Sequence, residues 1–352
     1  MRILSPHCGV AAETTSGGES YERELLRRMA MTEDVRLLMT RRARGRAAEA
    51  MWTIGSLPIN RGLKWWAAPF LLLDRMRDEP RPSILRVHSL KFIGPSALVA
   101  RRFWPGVPLV AHHHHIDEGR RPIERFVSNR MDRVIVGSKF ALRQMEARGW
   151  RTDHVRVIPY GVDSQKFYCG TRTRTEQRVL YFGGVKERKN LGALLDLWAR
   201  VAPEVPVARL TIAGGGSMLD HYRSYVRTRK IPRVSFTGYV DEQDKPFLYR
   251  AADVFVFPST LEGFGLPVLE AMASGLPCLV SDASDFRDWV EAPYALPLDR
   301  GTERQWAAML FLLLNNRPLR EVVGDRNRKF AETMTWEKCV ADTLDVYREV
   351  LA

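Results

Sequence analysis

Glu262-Gly-Phe-Gly-Leu-Pro-Val-Leu-Glu270-Ala-Met-Ala-Ser-Gly-Leu-Pro277 sets two carboxylates eight residues apart around a Gly-Phe-Gly turn that opens a helix. The chain arriving there, Asp253-Val-Phe-Val-Phe-Pro258, is short, apolar and β-branched, the pattern of a buried strand in a parallel sheet. Glu262 therefore falls in the loop at a strand's C-terminal end, where open α/β sheets bind ligands. Gly263 and Gly265 allow a tight turn, and with a helix starting at Leu266 their amides and the positive helix end also suit a phosphate. Glu270 sits one turn into a helix whose Leu266, Leu269, Ala273 and Leu276 are apolar, so its charge asks for a partner. A carboxylate gripping the two hydroxyls of a ribose would have one. The spacing argues against a glycosidase pair: carboxylates eight helical residues apart would lie about 12 Å apart, whereas a retaining glycosidase needs about 5–5.5 Å.

Outward from this stretch, strand and helix alternate through the chain. Strands are expected near 2–5, 35–39, 83–88, 107–113, 133–137 and 155–159, with helical stretches at 21–31, 94–103 and 140–148. A second series follows near 178–182, 207–213, 233–237, 253–257, 277–280 and 294–296. Repeated βα pairs of this kind mean parallel sheets covered on both faces. The segment from Asp163 to Gln177, with Gly170 and a Thr/Arg run, reads as a linker.

Several blocks, in order, resemble the GT4 family of retaining glycosyltransferases. The opening segment resembles that family's E-x7-E motif, and Arg178-Val-Leu-Tyr-Phe-Gly-Gly-Val-Lys-Glu-Arg-Lys-Asn190 resembles its strand, glycine turn and basic pair. Leu210-Thr-Ile-Ala-Gly-Gly-Gly216 and Val234-Ser-Phe-Thr-Gly-Tyr-Val240 resemble the next strands and loops. Ile158-Pro-Tyr-Gly-Val-Asp163 resembles the interdomain segment and 336–352 the closing helix. The resemblance implies an α/β protein of GT-B fold, with two Rossmann-like, doubly wound parallel-sheet domains facing across a cleft. The expected acceptor domain is 1–165 with a crossing helix at 335–352, and the nucleotide-sugar domain is 175–334.

The resemblance also implies roles. Glu262 would contact the donor sugar and Glu270 the ribose, while Gly263, Phe264, Gly265 and Leu266 would bind the donor through the turn and helix start. Lys189 would be the point charge for the leaving diphosphate, with Arg188 beside it. Gly184 departs from the family, many members of which carry an arginine there, and Arg188 or Lys186 would compensate. Gly17 and Gly18 stand where the family places a Gly-Gly beside the diphosphate. In His112-His-His-His115, adjacent strand residues alternate faces, so metal convergence is not expected. Counting from Pro108, His114 falls on the family's active-site histidine at the acceptor side, with His112 and His115 as alternatives. His88 and Ser138 are further candidates to line the cleft.

The implied reaction is transfer, with retention, of a glycosyl group from a UDP- or GDP-sugar to a polysaccharide, glycolipid or natural-product hydroxyl. The alternatives are a silent nucleotide-sugar-binding partner of another transferase and a nucleotide-sugar epimerase. No D-x-D tripeptide occurs, so no metal and no other cofactor is expected.

Composition is that of an ordinary globular chain, 45% hydrophobic and 27% charged over 352 residues, long enough for two domains. Four scattered cysteines form no CxxC and indicate neither zinc nor a disulfide framework, so a reducing cytoplasmic setting is the default. The longest apolar patches, 65–73 and 309–314, fall short of the about 20 residues of a membrane span. The N-terminus reads as a strand rather than a signal peptide.

The net charge of +13 is uneven. Residues 1–163 hold 28 Lys and Arg against 17 Asp and Glu, and 164–352 hold 26 against 24. The basic excess of the first half suits an anionic acceptor or peripheral contact with an anionic membrane. Its densest clusters are at 41–46, 101–102 and 120–121, and Trp65-Trp66 beside Lys64 could lie in a headgroup layer. No nucleic-acid-binding motif is present.

Overall fold

The computed structural model describes residues 1–7, 17–40, 53–57, 73, 76, 79–114, 122–170, 177–299 and 301–352, with the backbone alone at 7, 38–40 and 53–57. The basic clusters at 41–46 and 120–121, the Trp65-Trp66 segment, His115 and the Thr/Arg run at 171–176 lie outside these residues. The chain divides into two compact units, one of residues 1–160 with 336–352 and one of residues 161–335. Residues 161–165, assigned by sequence to the first domain, pack with the second: Val162 bridges Thr335 and its amide donates to the Met334 carbonyl at 2.9 Å.

Among the described residues, the first unit is built on a seven-stranded sheet of order β3-β2-β1-β4-β5-β6-β7. Its strands are β1 (Arg2–His7), β2 (Asp34–Thr40), β3 (Thr53–Leu57), β4 (Ile84–Val87), β5 (Leu109–His113), β6 (Arg133–Val136) and β7 (Val155–Val157). Every pairing is parallel. Helices α1 (Gly17–Met29), α2 (Gly94–Ala100), α3 (Pro122–Ser128) and α4 (Lys139–Ala147) connect them, and the closing helix Trp336–Glu349 packs on α1. Strand β3 was not expected. Its Gly55 and Ser56 dilute the β-branched signal, and as an edge strand it has one neighbour, β2, to supply its ladder.

The second unit carries five parallel strands, β8 (Gln177–Phe182), β9 (Ala208–Ala213), β10 (Val234–Gly238), β11 (Val254–Phe257) and β12 (Cys278–Val280), in the order β10-β9-β8-β11-β12. Its helices are α5 (Leu191–Val201), α6 (Leu219–Thr228), α7 (Lys245–Ala251), α8 (Leu266–Ala273), α9 (Phe286–Trp289), α10 (Glu303–Asn315) and α11 (Arg317–Ala331). The strand expected at 294–296 is reduced to one bridge, Val280 to Ala295. Pro293 and Pro297 flank it and supply no amide to extend a ladder. Strand β11 is buried at all four residues, as its unbroken Val-Phe-Val-Phe run requires, and Phe257 stacks on Tyr181 of β8 at 5.9 Å.

Both sheets reverse winding direction at one place, between β1 and β4 in the first unit and between β8 and β11 in the second. At such a reversal the connections of adjacent strands go to opposite faces, and the carboxyl ends there are the usual ligand site of open α/β sheets. In the second unit, the loops that leave β8 and β11 carry the residues singled out from the sequence.

Candidate active site

Beyond β8 the chain passes Gly183 and Gly184, then makes a 3-10 turn, Glu187–Lys189, that ends at Asn190 in the left-handed conformation before α5. Beyond β11 it runs through Ser259 to the Glu262 turn and into α8 at Gly265, whose φ is +103°. A side chain at Gly265 would put its Cβ 2.4 Å from the Phe286 ring, so glycine is demanded by conformation and by space. Phe264 is buried, its ring 4.7 Å from Trp289, and Leu266 is buried at the first turn of α8. Their side chains fix the turn; any contact they offer a ligand must come from the backbone.

The two loops are joined by ions. Lys189, 7% exposed, donates to Glu262, 6% exposed, at 2.5 Å, and Arg188 reaches the same carboxylate oxygen at 3.1 Å. Ser259 donates to that oxygen as well. Burial would push the Glu262 carboxyl up, but Lys189 and then Arg188 outweigh it and hold it below the ordinary carboxylate range. Lys189 is pushed down by burial, with Arg188 and Lys186 adding to the effect and Glu262 opposing it. Two cations thus share one carboxylate oxygen where the two loops meet.

Arg188 also donates to the Leu261 carbonyl at 2.7 Å, which ties it to the β11 loop. Lys186 is exposed, and its Cε lies 3.9 Å from where a Cβ at Gly184 would stand. Of the two cations expected to offset that glycine, Lys186 lies beside its Cβ position and Arg188 buttresses Glu262.

Glu270 is also buried, but its surroundings differ. Tyr249 donates to it at 2.8 Å and Lys245 stands 4.0 Å away, itself paired with Glu242. Burial pushes the Glu270 carboxyl up, with Lys245 opposing and Glu242 assisting. Burial also keeps the Tyr249 phenol protonated as a donor. The E-x7-E carboxylates are thus driven in opposite directions, one locked in an ion cluster and one held by a neutral hydroxyl.

In the first unit, Gly17 and Gly18 form the first turn of α1 at the β1–β4 reversal. A Cβ at Gly18 would lie 3.5 Å from the Cβ of His114, which follows β5. The histidine run is divided by strand alternation. His112 is wholly buried, with Tyr21 at 3.1 Å from Nδ1 and Tyr347 at 2.9 Å from Nε2. His113 lies against Trp150 at 5.5 Å. His114 has Tyr160 at 2.6 Å from Nδ1 and Glu22 at 2.7 Å from Nε2.

Glu22 is clamped by the wholly buried Arg86, with Nη2 to Oε1 at 2.7 Å and a second bond from Nη1. A carboxylate so held can only accept, so Nε2 of His114 donates to it, while Tyr160, which burial keeps protonated, faces Nδ1. His88 and Ser138 serve the backbone: His88 Nδ1 is 3.0 Å from the Pro6 carbonyl, and Ser138 caps α4 through the Ala141 amide at 3.0 Å.

Glu22, Arg86, Tyr160, Tyr249, Lys245 and Ser259 were not singled out from the sequence. Arg86, a charge inside the apolar run Ile84–Val87, was the one visible signal. The others are polar residues on ordinary helices and loops, and only their partners mark them.

The fold is that of GT-B glycosyltransferases. Sucrose-phosphate synthase from Thermosynechococcus elongatus superposes with a TM-score of 0.83 at 18% identity, over 99% of this chain and 98% of its own. Anabaena HepE in complex with UDP-glucose gives 0.79 at 17%, over 98% and 99%. Residues 170–330 match the family model of glycosyl transferases group 1, and residues 15–166 match that of glycosyltransferase family 4. With both halves matched, the chain belongs to the GT4-type glycosyltransferases.

Mannosylfructose-phosphate synthase of Agrobacterium fabrum is 35% identical over 156 residues, 39% of this chain and 34% of that protein. Phosphatidyl-myo-inositol mannosyltransferase of Mycobacterium tuberculosis is 32% identical over 230 residues, 62% and 59% of the two chains. The match thus spans about a third to three fifths of the length of these curated relatives.

Proposed function

We propose that the protein is a retaining, metal-independent glycosyltransferase that moves a sugar from a nucleotide diphosphate sugar, UDP- or GDP-linked, to an acceptor hydroxyl of a polysaccharide, glycolipid or natural product. The observation that carries this reading is the joined pair of loops at the β8–β11 reversal, where Lys189 and Arg188 meet Glu262 beside the amides of a helix start. In glycosyl transfer the ring becomes positive and the departing diphosphate negative, so preorganised donors and a cation at the leaving group lower the barrier. Lys189 and the turn at Gly263, Phe264 and Gly265 meet that need, and the α8 dipole adds to it.

Glu270, poorly compensated by cations, gains hydrogen-bond donors if it takes the ribose hydroxyls. Glu262 would contact the donor sugar. Gly17 and Gly18 would border the diphosphate, and His114 would act at the acceptor side. The names of relatives point to sugar and lipid acceptors: one matched protein is a phosphatidyl-myo-inositol mannosyltransferase, and one superposed structure holds UDP-glucose. The basic excess of residues 1–163 suits an anionic or lipid-linked acceptor.

A thermal-shift screen against UDP-, GDP- and ADP-sugars tests the donor, since a specific ligand raises the transition by mass action. Product NMR with the stabilising donor should show the donor's anomeric configuration retained, and turnover should survive excess EDTA. An inverted product, or activity abolished by EDTA and restored by a divalent cation, would refute the corresponding part.

A further inference from the structure

In the first unit, α2 with the turn after it and α3 carry four large apolar side chains that are exposed together. Val99 of α2 is 48% exposed, Phe103 in the turn after it 47%, and Ile123 and Phe126 of α3 42% and 48%. The opposite sides of these helices supply Ala97, Ala100 and Val127 to a single core with β4, β5 and β6. Gly94 abuts Val127 so closely that a Cβ there would fall 2.3 Å from its Cγ1. The helices therefore lie side by side on one face of the sheet, and their outer ridges, residues three or four apart, look the same way.

Cations are interleaved with these side chains. Arg102, Arg125 and Arg130 are exposed, the Arg130 guanidinium lies 3.6 Å from the Phe126 ring centre, and the Lys91 ammonium lies 5.0 Å from that of Phe92. Among the described residues from 91 to 130 the one carboxylate is Glu124, which is buried. Alternating arginine and large apolar groups, with the partly exposed Asp132 at the margin paired to Arg101, is the composition of an interfacial membrane surface: apolar tips enter the acyl boundary while cations stay with lipid phosphates. A second copy of this chain is disfavoured as the occupant, because its first half brings 28 Lys and Arg against 17 Asp and Glu to the contact.

We infer that the α2–α3 face docks on an anionic lipid bilayer, with Val99, Phe103, Ile123 and Phe126 inserted and Arg102, Arg125 and Arg130 at the headgroups. This goes beyond glycosyl transfer and does not depend on it.

Co-sedimentation with vesicles of equal parts phosphatidylglycerol and phosphatidylcholine, and with phosphatidylcholine alone, tests it. The full chain should pellet with the anionic vesicles, far less with the neutral ones, and less as salt rises. Arg102→Gln/Arg125→Gln should weaken partitioning by about 10- to 30-fold, at roughly fivefold per cation lost. Phe103→Ser/Phe126→Ser should weaken it by at least tenfold. Arg223→Gln/Arg227→Gln on α6 should partition like the parent.

An unchanged thermal transition shows each variant folded; if the serine pair unfolds, Phe103→Leu/Phe126→Leu, which should hold most of the binding, replaces it. A parent chain that stays in the supernatant with anionic vesicles overturns the inference. So does equal weakening by the α6 pair, or full binding by the Arg102/Arg125 variant.

Discussion

Glu262→Gln and Glu270→Gln remove the same charge from two carboxylates of similar burial, yet Glu262→Gln alone should cost substantial stability. Glu262→Gln leaves the Lys189 ammonium buried against the Arg188 guanidinium without their shared anion. Breaking a buried pair costs about 3–5 kcal/mol. Arg188 is a third exposed, so solvent screens its share and places the loss near the lower end, about 3 kcal/mol. At about 2–4 °C per kcal/mol for a unit of this size, the second unit's transition should fall by about 6–12 °C.

Glu270→Gln keeps the Tyr249 hydroxyl bond and removes a charge that burial already penalises. Its stability should stay within about 1 kcal/mol of the parent or rise. Donor affinity should weaken by about 10- to 150-fold, because a hydrogen bond to a charged group is worth about 1.5–3 kcal/mol.

The pH dependence separates the two further. The folded Glu262 carboxyl lies below the ordinary value of 4.5, so its stabilisation is complete above 4.5 and is lost as pH falls through the lower folded value. Glu270 lies above 4.5, so its ionised form costs stability at neutral pH, and the cost disappears as pH falls through the raised value to below 4.5. Calorimetry from pH 3.5 to 7.5, with isothermal titration of the donor at neutral pH, reads both effects. A Glu262→Gln protein as stable as the parent, or a Glu270→Gln protein less stable than Glu262→Gln, would refute the charge assignment.

Three further expectations concern the fold around the site. Gly265→Ala combines a φ of +103° with a Cβ 2.4 Å from Phe286, so it should cost at least about 1–3 kcal/mol and weaken donor binding with it; unchanged melting would show that the turn relaxes freely. Arg86→Met strands the buried Glu22 carboxylate and should cost about 3–5 kcal/mol in denaturant unfolding, most of it recovered by Glu22→Gln in the same chain; a single variant as stable as the double would contradict the pairing. His114→Ala should abolish transfer with donor affinity kept, whereas His112→Ala, which removes the link between Tyr21 and Tyr347, should act on stability; activity lost only in the His112 variant would reverse the choice of histidine.

Much of the fold was legible because buried parallel strands are continuous apolar runs and their connections are amphipathic helices. Val254–Phe257 could be read directly for this reason. The Thr53–Leu57 strand could not, since its glycine and serine have no β preference and its place depends on pairing with β2. The expected strand at 294–296 fails for the converse reason: its side chains suit a strand, but the prolines beside it stop the ladder at one bridge.

The sequence by itself determined the local chemistry of the site. Two carboxylates eight residues apart, glycines at the helix start and a basic pair before α5 follow from chain order, because a turn and the helix after it are set by neighbouring residues. Tertiary structure decided which charges meet. Lys189 reaches Glu262 across 73 positions and Arg86 reaches Glu22 across 64. Those contacts arise because β8 and β11, and β1 and β4, are neighbours at the points where their sheets reverse. Burial at those crossings then gives the partners their strength. For that reason two glutamates that look equivalent in the sequence become, in the folded chain, one locked in an ion cluster and one held by a tyrosine hydroxyl.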